Sequence, residues 1–155
     1  MTRVLGVDLG TKRIGVALSD PTGTVASPLA TIPHRSPRGD VEQVAALCAA
    51  HGVASVVVGW PRNMDGTSGP AARQAEAFAE RLRAQTGLHV ELWDERLSTV
   101  AAERALIRGG ARREERREAR DRVAAAVVLQ SRLDARRHNR HHRGAEDVST
   151  QTDLE

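Results

Sequence analysis

Residues 4–20 read VLGVDLGTKRIGVALSD, and this stretch decides the fold. Two apolar runs, 4–10 and 14–20, are separated by the turn Thr11-Lys12-Arg13, and a third run follows at 25–32. Three strand-like runs in such close succession predict an antiparallel meander. Downstream the period changes. Val41, Val44, Ala45 and Cys48 fall at helical spacing within 38–51, with Gly52 in the stop position. ASVVVG (54–59) reads as a buried strand, 60–69 as a loop, Pro70 to about Thr86 as a helix ended by Gly87, and LHVELW (88–93) as another strand. Ser98 or Thr99 can cap a helix reaching about Arg108, Gly109-Gly110 breaks it, and a last helix covers about 114–135. The order βββαβαβαα predicts an α/β fold: a mixed five-stranded sheet, three antiparallel strands and then two parallel ones, flanked by helices.

Around this core the composition sets limits. A length of 155 residues suits one domain, assigned to 1–136. The segment HNRHHRGAEDVSTQTDLE has almost nothing to bury, so 137–155 is expected to be a disordered basic and acidic tail. No run approaches the roughly 20 apolar residues of a membrane span, and the chain runs directly into a strand without a signal sequence, which disfavours membrane insertion and secretion. One cysteine, Cys48, excludes an internal disulfide, and the cytoplasm is the expected compartment. Residues 1–107 are neutral overall, 108–143 carry 12 Arg against 5 acids, and 144–155 add 4 acids. Lys12 is the only lysine among 23 basic residues; the arginines suit bidentate contacts to phosphate, so a polyanionic partner is one reading of the charge and a solvated Arg-rich helix face the other. Three aromatic residues and no tyrosine leave little for a base-stacking platform.

Three carboxylate positions stand out. Alternation in the first strand puts Asp8 on one face with Gly6 and Gly10, opposite Leu5, Val7 and Leu9; glycines on either side leave room for an ion or phosphate near the backbone. Asp94-Glu95 closes the last strand, at the carboxyl end where chemistry collects in parallel arrangements. Alternation places Asp94 with Leu88, Val90 and Leu92 and Glu95 with Glu91 and Trp93, which leaves open the choice between them. Asp121 shares a helical stripe with Ala125, Val128 and Leu129, and Ala124–Ala126 allow close approach to the sheet. Oxygen ligands converging from distant parts of the chain fit a two-metal phosphoryl-transfer site for Mg²⁺ or Mn²⁺, with ions on the order of 4 Å apart. Ca²⁺, with its looser coordination, is expected to support little turnover. The loop GWPRNMDGTSGP (59–70), carrying Arg62, Asn63 and Thr67, opens onto a helix N-terminus suited to phosphate, as are Lys12 and Arg13 in the first turn and Arg96 beside the acid pair. The histidines at 138, 141 and 142 read as part of a solvated tail, and Cys48 as a small core residue.

The stretches DLGTKRIGVALSD (8–20), VVGWPRNMDGTSGP (57–70), DERLST followed by AER (94–104) and D..AAAVVLQSRLD (121–134) together resemble the YqgF (RuvX) family. That resemblance spans about residues 3–135. It implies an RNase H-like fold and a metal-dependent nuclease centre built from Asp8, an acid of the Asp94-Glu95 pair and Asp121, with Lys12, Arg13 and the 59–70 loop beside the nucleic acid. The implied activity is maturation of the 5′ end of pre-16S rRNA; the runner-up is a Holliday junction resolvase acting on branched DNA. Trp60 stands where the family usually carries an aliphatic residue. A different class, a non-catalytic nucleic-acid-binding ribosome assembly factor, is weighed down by the presence of every expected acid. Either a monomer or a homodimer is compatible with the sequence, the Trp60 loop and Cys48 being candidate dimer contacts.

Overall fold

A computed structural model describes residues 2–97 and 122–137. Its five strands are β1 (Arg3–Leu9), β2 (Arg13–Ser19), β3 (Ala26–Pro33), β4 (Val53–Trp60) and β5 (His89–Asp94). They form one sheet in the order β3-β2-β1-β4-β5. The first three are antiparallel neighbours, while β4 runs parallel to both β1 and β5. The mixed sheet expected from the sequence is therefore present. Pro28 and Pro33 lie in β3, an edge strand, where a missing N–H costs no interior ladder bond.

Two helices cover one face. In α1 (Pro37–His51) the Ser36 hydroxyl accepts a hydrogen bond from the Gly39 N–H, Pro37 takes the first turn, and Gly52 ends the helix at φ 61°. Helix α2 (Pro70–Thr86) likewise starts on proline and ends on Gly87 at φ 69°. Val41, Val44 and Cys48 of α1 and Phe78 and Leu82 of α2 bury against Leu5, Val7, Val56, Val58 and Val90. Cys48 is enclosed in this layer, and burial pushes its thiol up to about 11; it offers no dimer contact. Trp60, expected in an exposed loop, instead ends β4 and packs partly buried against the same cluster.

The other face belongs to α3, described over 122–137. Ala124, Ala125, Val128, Leu129 and Leu133 lie fully buried against Val4, Ala17 and Val57. Helix α3 reaches one residue into the segment expected as a tail; the helix expected after Ser98, the start of the last helix and residues 138–155 lie outside the described residues. No helix of the described residues is long and apolar enough to cross a membrane.

Helix α3 approaches the sheet tightly at Gly6, where a β-carbon would stand 2.8 Å from Leu129 Cβ and 3.0 Å from the Ala125 carbonyl oxygen. The space beside Gly6, expected to receive an ion, is filled by this helix. Gly6→Ala should therefore lower unfolding stability by about 1–3 kcal/mol by overpacking, read from the denaturant midpoint; an unchanged midpoint would contradict the tight packing.

Candidate functional site

Asp8 is 2% exposed near the carboxyl end of β1, opposite Gly15 of β2. Its alternation partners Val4 and Gly6 meet α3, so Asp8 belongs to the α3 face of the sheet. On the same face of β4 lies Val57, and two residues on, Gly59. The last strand repeats the pattern: Val90 joins the α1/α2 layer, whereas Trp93 packs with α3. Glu95 follows Trp93 by two residues, in the single turn of 3₁₀-helix Glu95–Leu97.

The register brings these positions together. Val7 pairs with Val58 across β1 and β4, and Gly59 with Trp93 across β4 and β5. Strands β1 and β5 are not neighbours, since β4 lies between them. At Gly59 the intervening strand carries no side chain, and a β-carbon there would stand 2.8 Å from Glu95 Oε1 and 3.5 Å from Asp8 Oδ1. Both carboxylates thus converge over one bare backbone position. Asp121 lies outside the described residues, one position before the described part of α3. Among the described residues no group of three His, Cys, Asp or Glu side chains gathers closely enough to hold a metal.

Asp94 is committed elsewhere. The Arg96 guanidinium donates to both of its carboxylate oxygens, Nη2 to Oδ2 at 2.7 Å and Nε to Oδ1 at 3.1 Å, and the Arg96 backbone N–H donates to Oδ1 at 2.9 Å. Arg62 Nη1 stands 3.8 Å from Asp94 Oδ2 on its other side. The Arg96 fork, more than any other contact, holds the Asp94 carboxyl below the usual carboxylate range.

The 61–69 loop is internally bonded. Asn63 N–H donates to the Thr67 carbonyl at 2.9 Å and Asn63 Nδ2 to the Thr67 hydroxyl at 3.0 Å, while that hydroxyl donates to Asp65 Oδ1 at 2.6 Å. Gly66, at φ 86°, makes the turn that a side chain would strain. Arg62 lies 4.4 Å over the Trp60 ring and donates to the Gly66 carbonyl, and Arg96 Nη1 reaches the Met64 carbonyl at 3.4 Å. Four of the expected phosphate contacts, Arg62, Asn63, Thr67 and Arg96, therefore also shape this loop and its link to Asp94. Lys12 is exposed and Arg13 half-buried, at the turn closed by the Gly10 N–H to Arg13 carbonyl bond of 2.9 Å. The residue that sequence reasoning passed over is Gly59. Its signal is a glycine ending an otherwise apolar buried strand, VVVG.

The chain as a whole is similar to known proteins. A family model described as "RuvX: Holliday junction resolvase" matches residues 2–135. A protein of Geobacillus kaustophilus, named "Putative pre-16S rRNA nuclease", is 52% identical over 137 residues, covering 87% of this chain and 99% of its own length. Its counterpart of the same name in Symbiobacterium thermophilum is 51% identical over 134 residues, covering 86% and 93%. Among solved structures, RuvC of Thermus thermophilus superposes with a TM-score of 0.53 at 16% identity, covering 88% of this chain and 96% of that one, a likeness of the RNase H-like fold. With a family match over residues 2–135 and relatives at half identity, the chain belongs to the RuvX (YqgF) family.

Proposed function

We propose that this protein is a metal-dependent endonuclease that trims the 5′ end of pre-16S rRNA in the cytoplasm, with Asp8, Glu95 and Asp121 as its metal-holding carboxylates. The observation that carries the reading is the approach of Asp8 and Glu95 over Gly59, a cradle of hard oxygen donors that a single β-carbon would obstruct. Such a donor set suits Mg²⁺ or Mn²⁺. When bound there, either ion would offset phosphate charge and ease formation of the attacking hydroxide. Water adds to phosphorus in line with the P–O bond that breaks. Asp8 and Glu95 fix the donor positions, while Asp94 orients Arg96 and Arg62 toward the same strand ends, where their remaining N–H groups can meet phosphate oxygens. Asp94 thereby takes a supporting place, and Glu95 is the acid of the pair assigned to the metal. Lys12, Arg13, Asn63 and Thr67 border the path of the strand.

Family membership also supports a second reading, since the matched family model is described as a Holliday junction resolvase. Both readings use the same carboxylates. They separate when the protein is given a precursor rRNA fragment spanning the 5′ boundary and a four-way DNA junction, each with Mn²⁺, Mg²⁺, Ca²⁺ or EDTA. Cleavage of the RNA, supported by Mn²⁺ or Mg²⁺ and abolished by EDTA, is expected; cleavage of the junction alone would promote the resolvase, and binding without cleavage an assembly factor.

Asp8→Asn and Glu95→Gln should each lose more activity than the roughly 10- to 100-fold that accompanies changes around a metal site's outer contacts. Asp94→Asn should retain measurable cleavage, and equal loss in all three variants would overturn the division of roles. Gly59→Ala should fold, because the nearest atom it meets is the far end of a flexible side chain, yet lose Mn²⁺ affinity by displacing Glu95. Native-like Mn²⁺ binding in that variant would count against the cradle.

Asp94 gives a pH signature. Its carboxyl is depressed in the folded state, so its stabilising pairing is present above the unfolded value of about 3.9 and is lost as pH falls through the lower folded value. Carboxyl-detected NMR titration should show Arg96→Ala raising the Asp94 pKa toward that ordinary value, and an unmoved titration would show that Arg96 is not the cause.

A further inference from the structure

Glu95 sits on a turn that has little apolar anchorage of its own, since Leu97, which ends it, is 64% exposed. The contacts of Arg96 with Asp94 join residues two apart, and Arg96 Nη1 ties the turn to the 61–69 loop through the Met64 carbonyl. A separate bond reaches it from α3. The Ser131 hydroxyl donates to the Leu97 carbonyl oxygen at 3.1 Å and accepts from Trp93 Nε1, also at 3.1 Å. One hydroxyl therefore uses its single donor on the turn and an acceptor lone pair on the strand that leads into it. Beside it, Arg132 lies 5.3 Å over the Trp93 ring and pairs with Glu91, which holds the indole against α3. Trp93 is also the sheet partner of Gly59, the position over which Glu95 and Asp8 converge. The chain of contacts runs from α3 through Ser131 to both ends of the segment that bears Glu95.

We infer that Ser131 is a positioning residue for the metal centre, fixing the Glu95 turn relative to β5 and to α3. The inference rests on the assignment of Glu95 to the metal made above. Its physical basis is restriction of the backbone: bracing the turn at Leu97 while holding Trp93 in place fixes the point from which the Glu95 side chain reaches over Gly59 before an ion arrives. Without the hydroxyl, the turn loses its bond to α3, and the Trp93 N–H loses its acceptor. Ser131 touches neither substrate nor ion in this scheme, so its loss should act on ion affinity and turnover and leave substrate affinity in place.

The test titrates the full chain with Mn²⁺ alone by calorimetry, and separately measures kcat and KM on the precursor rRNA fragment and the melting temperature. Ser131→Ala should weaken Mn²⁺ binding and lower kcat by about tenfold each, with KM and melting temperature close to those of the wild type. Ser131→Thr, which keeps the hydroxyl, should restore both, and Trp93→Phe, which keeps a ring and removes the N–H, should show a smaller loss in the same direction. Wild-type Mn²⁺ affinity and kcat in Ser131→Ala would overturn the inference. A loss that follows melting temperature and is not restored by Ser131→Thr would also overturn it, by assigning Ser131 to stability alone. Asp8→Asn and Glu95→Gln, measured in parallel, separate the two levels of the argument. If both bind Mn²⁺ as the wild type does, the carboxylate assignment fails; if both lose binding while Ser131→Ala does not, only the role of Ser131 fails.

Discussion

Asp8 is a carboxylate almost entirely removed from solvent, near the end of the central strand of a sheet covered on both faces. Burying a charge at such a place costs several kcal/mol unless surrounding groups answer it, and a second acid drawn close adds to that cost until a cation offsets both. Helix α3 closes over Gly6, which leaves Asp8 at the margin of the apolar layer and not within it. Strand β4 presents a bare backbone at Gly59, so that a second acid can cross from β5, two strands away. A larger residue at either glycine would disturb the arrangement by a different route: at Gly6 by pushing away the helix, at Gly59 by displacing Glu95. The same two absences of a side chain thus serve packing at one end of the sheet face and the approach of two acids at the other.

The acid pair shows how adjacent residues acquire different neighbours from strand geometry. Asp94 and Glu95 differ by one position, and a one-residue step along a strand reverses the face. The turn that follows β5 preserves that separation, leaving Asp94 between Arg62 and Arg96 and Glu95 above Gly59. Asp94 also links two pieces of chain distant in sequence, the loop after β4 and the turn after β5, because Arg62 belongs to the first and Arg96 to the second. The arginines expected from sequence to meet phosphate are consequently pre-oriented by an acid that the sequence placed beside them. Pre-orientation of this kind lowers the ordering cost when a polyanion binds.

Much of this was legible in the residues. The meander was signalled by three apolar runs with short turns between them, the helices by the apolar spacing within 38–51, the Pro70 start and the stops at Gly52 and Gly87, and the α3 stripe by Ala124, Ala125, Val128 and Leu129. Which of Asp94 and Glu95 shares a face with Asp8 was not, although both halves were present: alternation placed Glu95 with Trp93 and Asp8 with Gly6. What the sequence lacked was the information that one helix covers both of those faces, a fact of tertiary packing which no strand states by itself. Gly6 was misread for a related reason. A glycine near a buried acid signals missing volume, but it does not say whether a helix or an ion takes that volume. Gly59 escaped notice because its value depends on β4 lying between β1 and β5, and the order of strands follows from pairing across the whole sheet.

The central claim is that Asp8 and Glu95, and not Asp94, share a metal over Gly59. Anomalous diffraction from crystals of the full chain soaked in Mn²⁺ tests it most directly. The account predicts a Mn²⁺ peak at coordination distance, about 2.0–2.3 Å, from oxygens of both Asp8 and Glu95, with Asp121 brought to the same ion or its neighbour. A peak bonded to Asp94 in place of Glu95, or Mn²⁺ bound away from Asp8 altogether, would contradict it.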